Sequence, residues 1–188
     1  MDFDFFNDKD VLEIGSGPSG IIYRITEAKS RIGIEPMDMS DIIEDWKKAF
    51  VQVGKGEDLP FSNNTFDIVI CFNVLDHTTD PDTVLAESNR VLRKNGKLLF
   101  QMHVLRDKYK IFRPLLNKID SPHPYHQTAD EIRFMTSKYF TVTKERIFKG
   151  LGTGNKHRFA RNFKFFVGNI VMKNMFLILD KNKLAEQL

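Results

Sequence analysis

The sequence predicts an α/β protein built on a doubly wound, mostly parallel sheet. Short apolar runs alternate along the chain with amphipathic stretches, which is typical of strands that alternate with helices. The run FDIVICFN at 66–73 is almost continuously apolar, as expected for a strand buried on both faces. A glycine-rich loop follows the first apolar run. A chain of 188 residues can form one such domain with a core of its own.

The individual elements follow from local signals. Strands are predicted at 10–15, 31–36, 66–73, 97–104, 140–148 and 175–181, and helices at 18–28, 38–51, 80–96, 128–140 and 158–172. Asp80 is a suitable N-cap for the third helix, Pro81 suits its first position and Gly96 would end it. Thr128, with Glu131 three residues later, predicts a capping box for the fourth helix. Residues 105–127 contain three prolines and predict a short helix followed by a loop.

Composition excludes several classes of protein. No apolar stretch approaches the roughly 20 residues that a membrane-spanning helix needs. The N-terminal segment MDFDFFNDKD is acidic and does not resemble a signal peptide. The single cysteine, Cys71, cannot form an internal disulfide, so the expected location is the reducing cytoplasm. No Cys/His cluster has metal-ligand spacing, and no metal is expected.

Charge is divided unevenly along the chain. Residues 1–100 carry a net charge of −7 and residues 101–188 a net charge of +10. An unevenly charged solvated surface explains this, and so does a basic face for an anionic substrate, a nucleic acid or a membrane. The basic, Phe-rich stretch at 158–172 has the same two interpretations, since it can pack on the core or lie on an anionic bilayer.

The loop DVLEIGSGPSG at 10–20 has the spacing G-x-G-x-x-G in Gly15, Gly17 and Gly20. Glycines allow a ligand to approach the backbone, and Glu35 at the end of the second strand can accept bonds from both ribose hydroxyls. This pattern favours an adenosine-containing ligand. It leaves open a nicotinamide dinucleotide, S-adenosylmethionine, or a tight turn that binds nothing.

Four segments in order resemble the class I S-adenosylmethionine-dependent methyltransferases, of the type 11 branch. They are LEIGSGPSG, IGIEPMDMS, GEDLPFSNNTFDIVICFNVLDHTTDP and VLAESNRVLRKNGKLLF, and they cover about residues 10–104. The resemblance implies a Rossmann-like sheet of seven strands with helices on both faces and an antiparallel last strand. It also implies one domain over 1–188, with a cofactor-binding half at 9–104 and an acceptor-side half at 105–188.

The resemblance assigns cofactor roles residue by residue. Glu13 and the loop Gly15, Ser16 and Gly17 would flank the methionine part of S-adenosyl-L-methionine, and Asn73 and Val74 would face its amino-acid end. Glu35 would hold the ribose, with Pro36 and Met37 against the adenine. The segment Gly56, Glu57, Asp58 and Leu59 would wrap the adenine edge.

Two positions depart from the family pattern. Lys55 stands where an aspartate normally accepts a bond from the adenine amino group, and lysine cannot accept one. Glu57, Asp58 or a backbone carbonyl would then replace it. Only nine residues precede Asp10, so the usual N-terminal lid segment is expected to be short, missing or supplied by a partner.

Three histidines are the candidates for a general base, because histidine titrates in the useful range. His103 is predicted to end the fifth strand, and His123 and His126 lie in the loop SPHPYHQTADEI. His77 belongs to the loop after the fourth strand. For each of these histidines a surface or backbone-bonded role is the plain alternative.

The expected function is methyl transfer to a small molecule such as a sugar, a lipid-linked compound or another metabolite. The alternatives are a nicotinamide oxidoreductase, a cofactor-binding protein whose catalysis is lost or partner-dependent, and an RNA methyltransferase. The last is disfavoured because NVLDH replaces the N/D-P-P-Y/F motif of many enzymes that methylate base nitrogens. The sequence does not define the oligomeric state.

Overall fold

The computed structural model describes residues 3–119, 126–148 and 171–182. The strands are β1 Asp10–Ile14, β2 Ser30–Glu35, β3 Val51–Val53, β4 Phe66–Phe72, β5 Leu92–Leu105, β6 Phe140–Phe148 and β7 Met172–Lys181. The α-helices are α1 Asp45–Lys48, α2 Pro81–Val91, α3 Arg113–Ile119 and α4 Ala129–Ser137. The connector at 150–157 and the predicted helix at 158–172 lie almost entirely outside the described residues.

These strands form one sheet in the order β3-β2-β1-β4-β5-β7-β6. The first five positions are parallel, whereas β7 is antiparallel to both β5 and β6. The predicted seven-stranded, mostly parallel sheet with an antiparallel last strand is therefore confirmed. Chain order reverses between β1 and β4, which makes the carboxyl ends of these two strands the switch point of the fold.

The central strands are buried on both faces, as their continuous apolar sequences predict. Every residue of β1 is buried, and α2 and α4 cover one face of the sheet through Val84, Leu85 and Ile132. On the other face, Phe6 packs with Ile25 of the connection between β1 and β2 and with Val11 and other residues of the central strands. Within the described residues, this second face is covered by 3-10 turns at Phe3–Phe6 and Ile21–Tyr23 rather than by α-helices.

The two predicted helix starts with specific caps are confirmed. The Asp80 side chain accepts bonds from the Asp82 and Thr83 amides, and Pro81 opens α2. Thr128 and Glu131 form the full capping box of α4. The predicted end of α2 at Gly96 is wrong, because Leu92 is fully buried and pairs with Phe66 as the first residue of β5.

The first two predicted helices are also wrong. Residues 18–28 contain only the 3-10 turns Gly17–Ser19 and Ile21–Tyr23, and residues 38–51 contain only the four-residue α1. Of the apolar residues at helical spacing in this stretch, Ile43 is buried but Ile42 and Trp46 are 63% and 52% exposed, so they do not form one buried helical face. Residues 15–29 and 36–50, which contain only short helical turns, therefore join β1 to β2 and β2 to β3.

Candidate active site

The switch point gathers three chain segments at one edge of the sheet. Gly15 follows β1, Pro36 follows β2 and Asn73 follows β4. Ligands of open α/β sheets bind outside the carboxyl ends of the strands at this place. The predicted cofactor residues from the first, second and fourth strands are thus brought to one edge.

The glycine loop combines a packed glycine with an open one. Gly15 and Gly17 have φ angles of +69° and +49°, which favour glycine. A Cβ on Gly15 would lie 2.5 Å from Cγ2 of Val74, whereas a Cβ on Gly17 would meet no atom within 4 Å. Gly15 therefore lets the loop pack against the segment after β4, while the space beside the Cα of Gly17 is open.

Glu35 is half-buried at the end of β2 and faces this loop. Its Oε2 accepts a hydrogen bond from the Gly17 amide at 3.1 Å, and its Oε1 accepts one from the Met37 amide at 3.4 Å. Each carboxylate oxygen keeps a lone pair for a further donor. Pro36 and the 62% exposed Met37 follow directly and offer an apolar surface beside the carboxylate.

Glu13 lies beneath the loop and is only 4% exposed. Its two carboxylate oxygens accept hydrogen bonds from the Ile21 and Ile22 amides, at 3.1 and 2.9 Å. Burial raises the pKa of Glu13 to about 7, against the opposing effect of these two bonds. The side chain thus holds the 3-10 turn after the glycine loop, at the place where the sequence predicted the start of a helix.

Asn73 and Asp76 are among the polar side chains near the switch point whose buried oxygens have no hydrogen-bond partner within the described residues. The φ of Asn73 is +57°, and Asp76 is 4% exposed as a residue. Buried polar atoms are rarely unpaired in proteins, so a ligand or water is the expected partner. Asp76 was not predicted from the sequence as a candidate site residue. The only available signal was its position next to His77, in the loop after the fourth strand.

The segment after β3 forms a tight turn in which the backbones of Lys55 and Asp58 pair in an isolated antiparallel β-bridge. Gly56 is buried, and a Cβ there would come 2.9 Å from Cγ2 of Ile14. The Glu57 carboxylate accepts the Thr79 amide at 2.9 Å, whereas Asp58 is exposed. Of the two carboxylates predicted to replace the missing aspartate, Asp58 is therefore the one that faces solvent.

Glu87 and Arg90 of α2 fix the next part of this segment. Glu87 accepts the Leu59 amide at 2.9 Å, and Arg90 donates to the Leu59 and Phe61 carbonyls at 2.9 and 2.7 Å. The two side chains also form a bidentate ion pair, which is the strong geometry for this pairing. This clamp was not predicted from the sequence.

The predicted catalytic histidines lie in different environments. His103 is exposed and lies two residues before the end of β5, so the prediction that it ends this strand is wrong. His126 is buried, and its Nδ1 lies 2.6 Å from Oδ1 of Asn117 on α3. His123 lies outside the described residues. His77 is exposed, with Nε2 3.9 Å from Asp76.

Other reactive groups are few in the described parts of the chain. Cys71 is buried in β4, and desolvation raises the pKa of its thiol to about 12, so it is a core residue. No group of three or more His, Cys, Asp or Glu side chains in those parts could hold a metal ion. Nor does any helix there have the length and apolar character needed to cross a bilayer.

Comparison with known proteins gives the same picture. Residues 12–100 match the methyltransferase domain family. The chain is 36% identical over 101 residues to the ubiquinone/menaquinone biosynthesis C-methyltransferase UbiE of Pasteurella multocida, covering 51% of this chain and 37% of that protein. It is 28% identical over 127 residues to the tRNA U34 carboxymethyltransferase of Campylobacter fetus subsp. fetus, covering 63% and 45%.

A solved structure agrees in fold. Geranyl diphosphate C-methyltransferase from Streptomyces coelicolor A3(2), in complex with S-adenosyl-L-homocysteine, superposes with a TM-score of 0.73 at 12% identity, over 96% of this chain and 75% of that one. This chain spans about half the length, or less, of the curated relatives it matches.

The sheet order, the switch-point loop and its facing carboxylate define a Rossmann-like domain of the class I methyltransferase type. Residues 12–100 carry a methyltransferase domain, so the resemblance to the S-adenosylmethionine-dependent methyltransferases that the motifs predicted is confirmed for that part of the chain.

Proposed function

We propose that the protein is an S-adenosylmethionine-dependent methyltransferase that acts on a small molecule by in-line transfer. The observation that carries this proposal is the Glu35 carboxylate, which accepts the Gly17 amide across the switch point and keeps lone pairs for further donors. A ribose placed there would give its two hydroxyls to a charged acceptor beside a glycine loop. The family match over residues 12–100 supports the same cofactor.

The residues present fit this cofactor. Glu35 would hold the ribose, and the exposed Met37, with Pro36, would cover the adenine. The unpartnered oxygen of Asn73 and the loop Gly15–Gly17 would receive the polar amino-acid end, with Val74 packed beside them. The cofactor supplies a methyl group already activated on a sulfonium, so the protein does not have to activate it.

The adenine edge would meet the turn from Gly56 to Leu59. Asp58 is the exposed carboxylate of this turn and can accept a bond from the adenine amino group in place of the residue that Lys55 replaces. The clamp of Glu87 and Arg90 keeps the turn in place whether or not a ligand is present.

The acceptor half of the chain has to orient the acceptor, exclude water and, where the acceptor requires it, remove a proton. His103, His123 and His126 are our candidates for proton removal. His126 is held by Asn117, which would fix the orientation of its ring. The acceptor is proposed to be a sugar, a lipid-linked compound or another metabolite.

A second candidate acceptor is RNA. It is favoured by the net charge of +10 in residues 101–188 and by the similarity to a tRNA U34 carboxymethyltransferase. An RNA acceptor would show itself through binding that weakens steeply with salt.

Calorimetry with the full chain tests the proposal. We expect S-adenosyl-L-homocysteine to bind and NADH not to bind. Transfer of labelled methyl from S-adenosylmethionine is then measured on sugars, prenylated quinone precursors and tRNA. Binding of NADH alone would overturn the cofactor assignment. Binding of S-adenosyl-L-homocysteine without transfer to any acceptor would favour a binding protein whose catalysis is lost or depends on a partner.

A further inference from the structure

A helical stretch directly after β5 presents its apolar side to solvent. A 3-10 helix, Asp107–Phe112, continues into α3, Arg113–Ile119. Within it Ile111, Phe112 and Leu115 are 82%, 54% and 55% exposed. Ile111 and Leu115 are four residues apart and Phe112 and Leu115 three, so each of these two pairs lies on one side of the helical stretch. We call the three side chains the exposed stripe.

The same stretch is strongly basic. Residues 106–119 contain Arg106, Lys108, Lys110, Arg113 and Lys118 against the single carboxylate of Asp107. Lys108 and Lys118 lie three residues before and after the stripe and are exposed with it. Arg113, by contrast, points to the other side, where it forms two hydrogen bonds with Glu131 of α4.

The side of the stretch that faces the protein is packed against it. Tyr109, Arg113, Leu116 and Asn117 are half-buried, and Asn117 lies 2.6 Å from the buried His126. The helical stretch is therefore packed against the protein through its inner side, and the exposed stripe lies on its outer side. Phe134 of α4, which is 71% exposed, adds a further apolar side chain beside a cavity of about 460 Å³ that Lys110 and Arg113 also line.

We propose that the exposed stripe, with Lys108 and Lys118, docks this face of the protein on an anionic lipid bilayer. Large apolar side chains flanked by lysines suit the boundary between acyl chains and anionic headgroups. The core of a protein–protein interface is depleted in lysine. The charged backbone of RNA provides little apolar surface on which an exposed isoleucine or leucine could be buried. The bilayer is therefore the partner whose chemistry matches both features.

The stretch begins at Asp107, separated from the end of β5 by Arg106 alone, at the carboxyl edge of the sheet. The glycine loop lies at the same edge, so docking would bring the bilayer surface to the edge that carries the proposed cofactor site. The docking proposal does not depend on methyl transfer, since it is measured by binding alone.

Vesicle co-sedimentation of the full chain tests the proposal. The probes are vesicles of phosphatidylcholine and vesicles of phosphatidylcholine mixed with phosphatidylglycerol. We expect binding to the anionic vesicles only, weakened by salt. Ile111→Ser with Leu115→Ser should weaken it roughly tenfold or more, because both the apolar burial and its anchoring depth are lost. Lys108→Glu with Lys118→Glu should weaken it to a similar degree.

The matched control is Ile42→Ser, since Ile42 is 63% exposed in the connection between β2 and β3. It should bind vesicles as the unmodified chain does, and all variants should keep the same melting temperature. Absence of vesicle binding, or an equal loss in the control, would overturn the proposal. So would a dimer or a tRNA complex that the stripe variant abolishes while vesicle binding persists. Calorimetry with S-adenosyl-L-homocysteine on the same samples keeps the cofactor question separate.

Discussion

The carboxylate of Glu35 accepts a hydrogen bond from the backbone amide of Gly17, with 3.1 Å between the two atoms. This bond joins the end of β2 to the loop after β1 across the switch point. It holds the carboxylate in place before any ligand arrives, so little conformational freedom has to be lost on binding. The relationship makes Glu35 the first residue to test.

Replacing Glu35 by alanine should raise the dissociation constant of S-adenosyl-L-homocysteine roughly tenfold or more, because two charge-assisted bonds to the ribose are lost. Glu35→Gln should have a smaller effect, since one acceptor oxygen remains. Calorimetry measures both. The control is Asp41→Ala, which removes an exposed carboxylate from the next connection. An unchanged constant in Glu35→Ala would place the ribose elsewhere.

Substitutions at the two glycines of the loop should affect different quantities, namely the free energy of unfolding at Gly15 and ligand affinity at Gly17. Gly15→Ala introduces a Cβ 2.5 Å from Val74 at a positive φ and should lower the free energy of unfolding by about 1–3 kcal/mol. Gly17→Ala meets no neighbour, so only the left-handed backbone costs about 1 kcal/mol, but the new methyl group would lie where we propose that the ligand approaches. Urea unfolding and calorimetry should therefore rank the two variants in opposite order. Equal effects in both assays would contradict this reading of the loop.

Glu13 should make stability depend on pH. Its folded pKa of about 7 lies above the ordinary 4.5, so the folded state binds the proton more tightly than the unfolded state. Stability is then lost as pH rises from the ordinary value through the folded one, by up to about 3 kcal/mol in total. Urea unfolding near pH 5 and near pH 8, as rough settings on either side of the folded pKa, measures the loss.

Glu13→Gln serves as the comparison for this effect. Glutamine does not titrate, so the variant should lack this contribution to the slope, although it can accept only one of the two bonds from Ile21 and Ile22. The difference in slope is the readout, because the absolute stability also changes. Identical slopes in both proteins would show that Glu13 is ionised throughout.

Arg90→Met should loosen the turn that precedes β4. The change removes the bonds to the Leu59 and Phe61 carbonyls and leaves Glu87 without its cation, which should cost about 1–3 kcal/mol of folding free energy. Affinity for S-adenosyl-L-homocysteine should fall as well, since the turn is proposed to border the adenine. Arg24→Met, at an exposed position, is the control. Lost stability with unchanged affinity would remove this turn from the site.

The strands were predictable because strands that are buried on both faces consist of nearly continuous apolar residues. The apolar runs of β1 and β4 are buried almost throughout, and the turn residues around them mark their bounds. The caps of α2 and α4 were predictable for a different reason, since Asp80 and Thr128 bond to amides only two or three residues away. Neither signal depends on distant parts of the chain.

The missed features depend on contacts that are distant in sequence. In place of the helix predicted after the glycine loop stand 3-10 turns, with the Ile21 and Ile22 amides bonded to Glu13. The helix predicted to end at Gly96 ends earlier because Leu92 pairs with Phe66. Likewise, nothing local indicates that His126 is buried beside Asn117 or that Oδ1 of Asp76 is buried without a hydrogen-bond partner among the described residues.

The position of β7 bears on how the chain is made. This strand comes last along the described chain but is inserted between β5 and β6, pairing with nine residues of β5. Until Met172–Lys181 has left the ribosome, β5 has a bare edge and β6 has no neighbour in the sheet. Such an edge invites pairing with other chains. A nascent chain halted before Met172 should thus need chaperone protection, which a chain released after Lys181 would not.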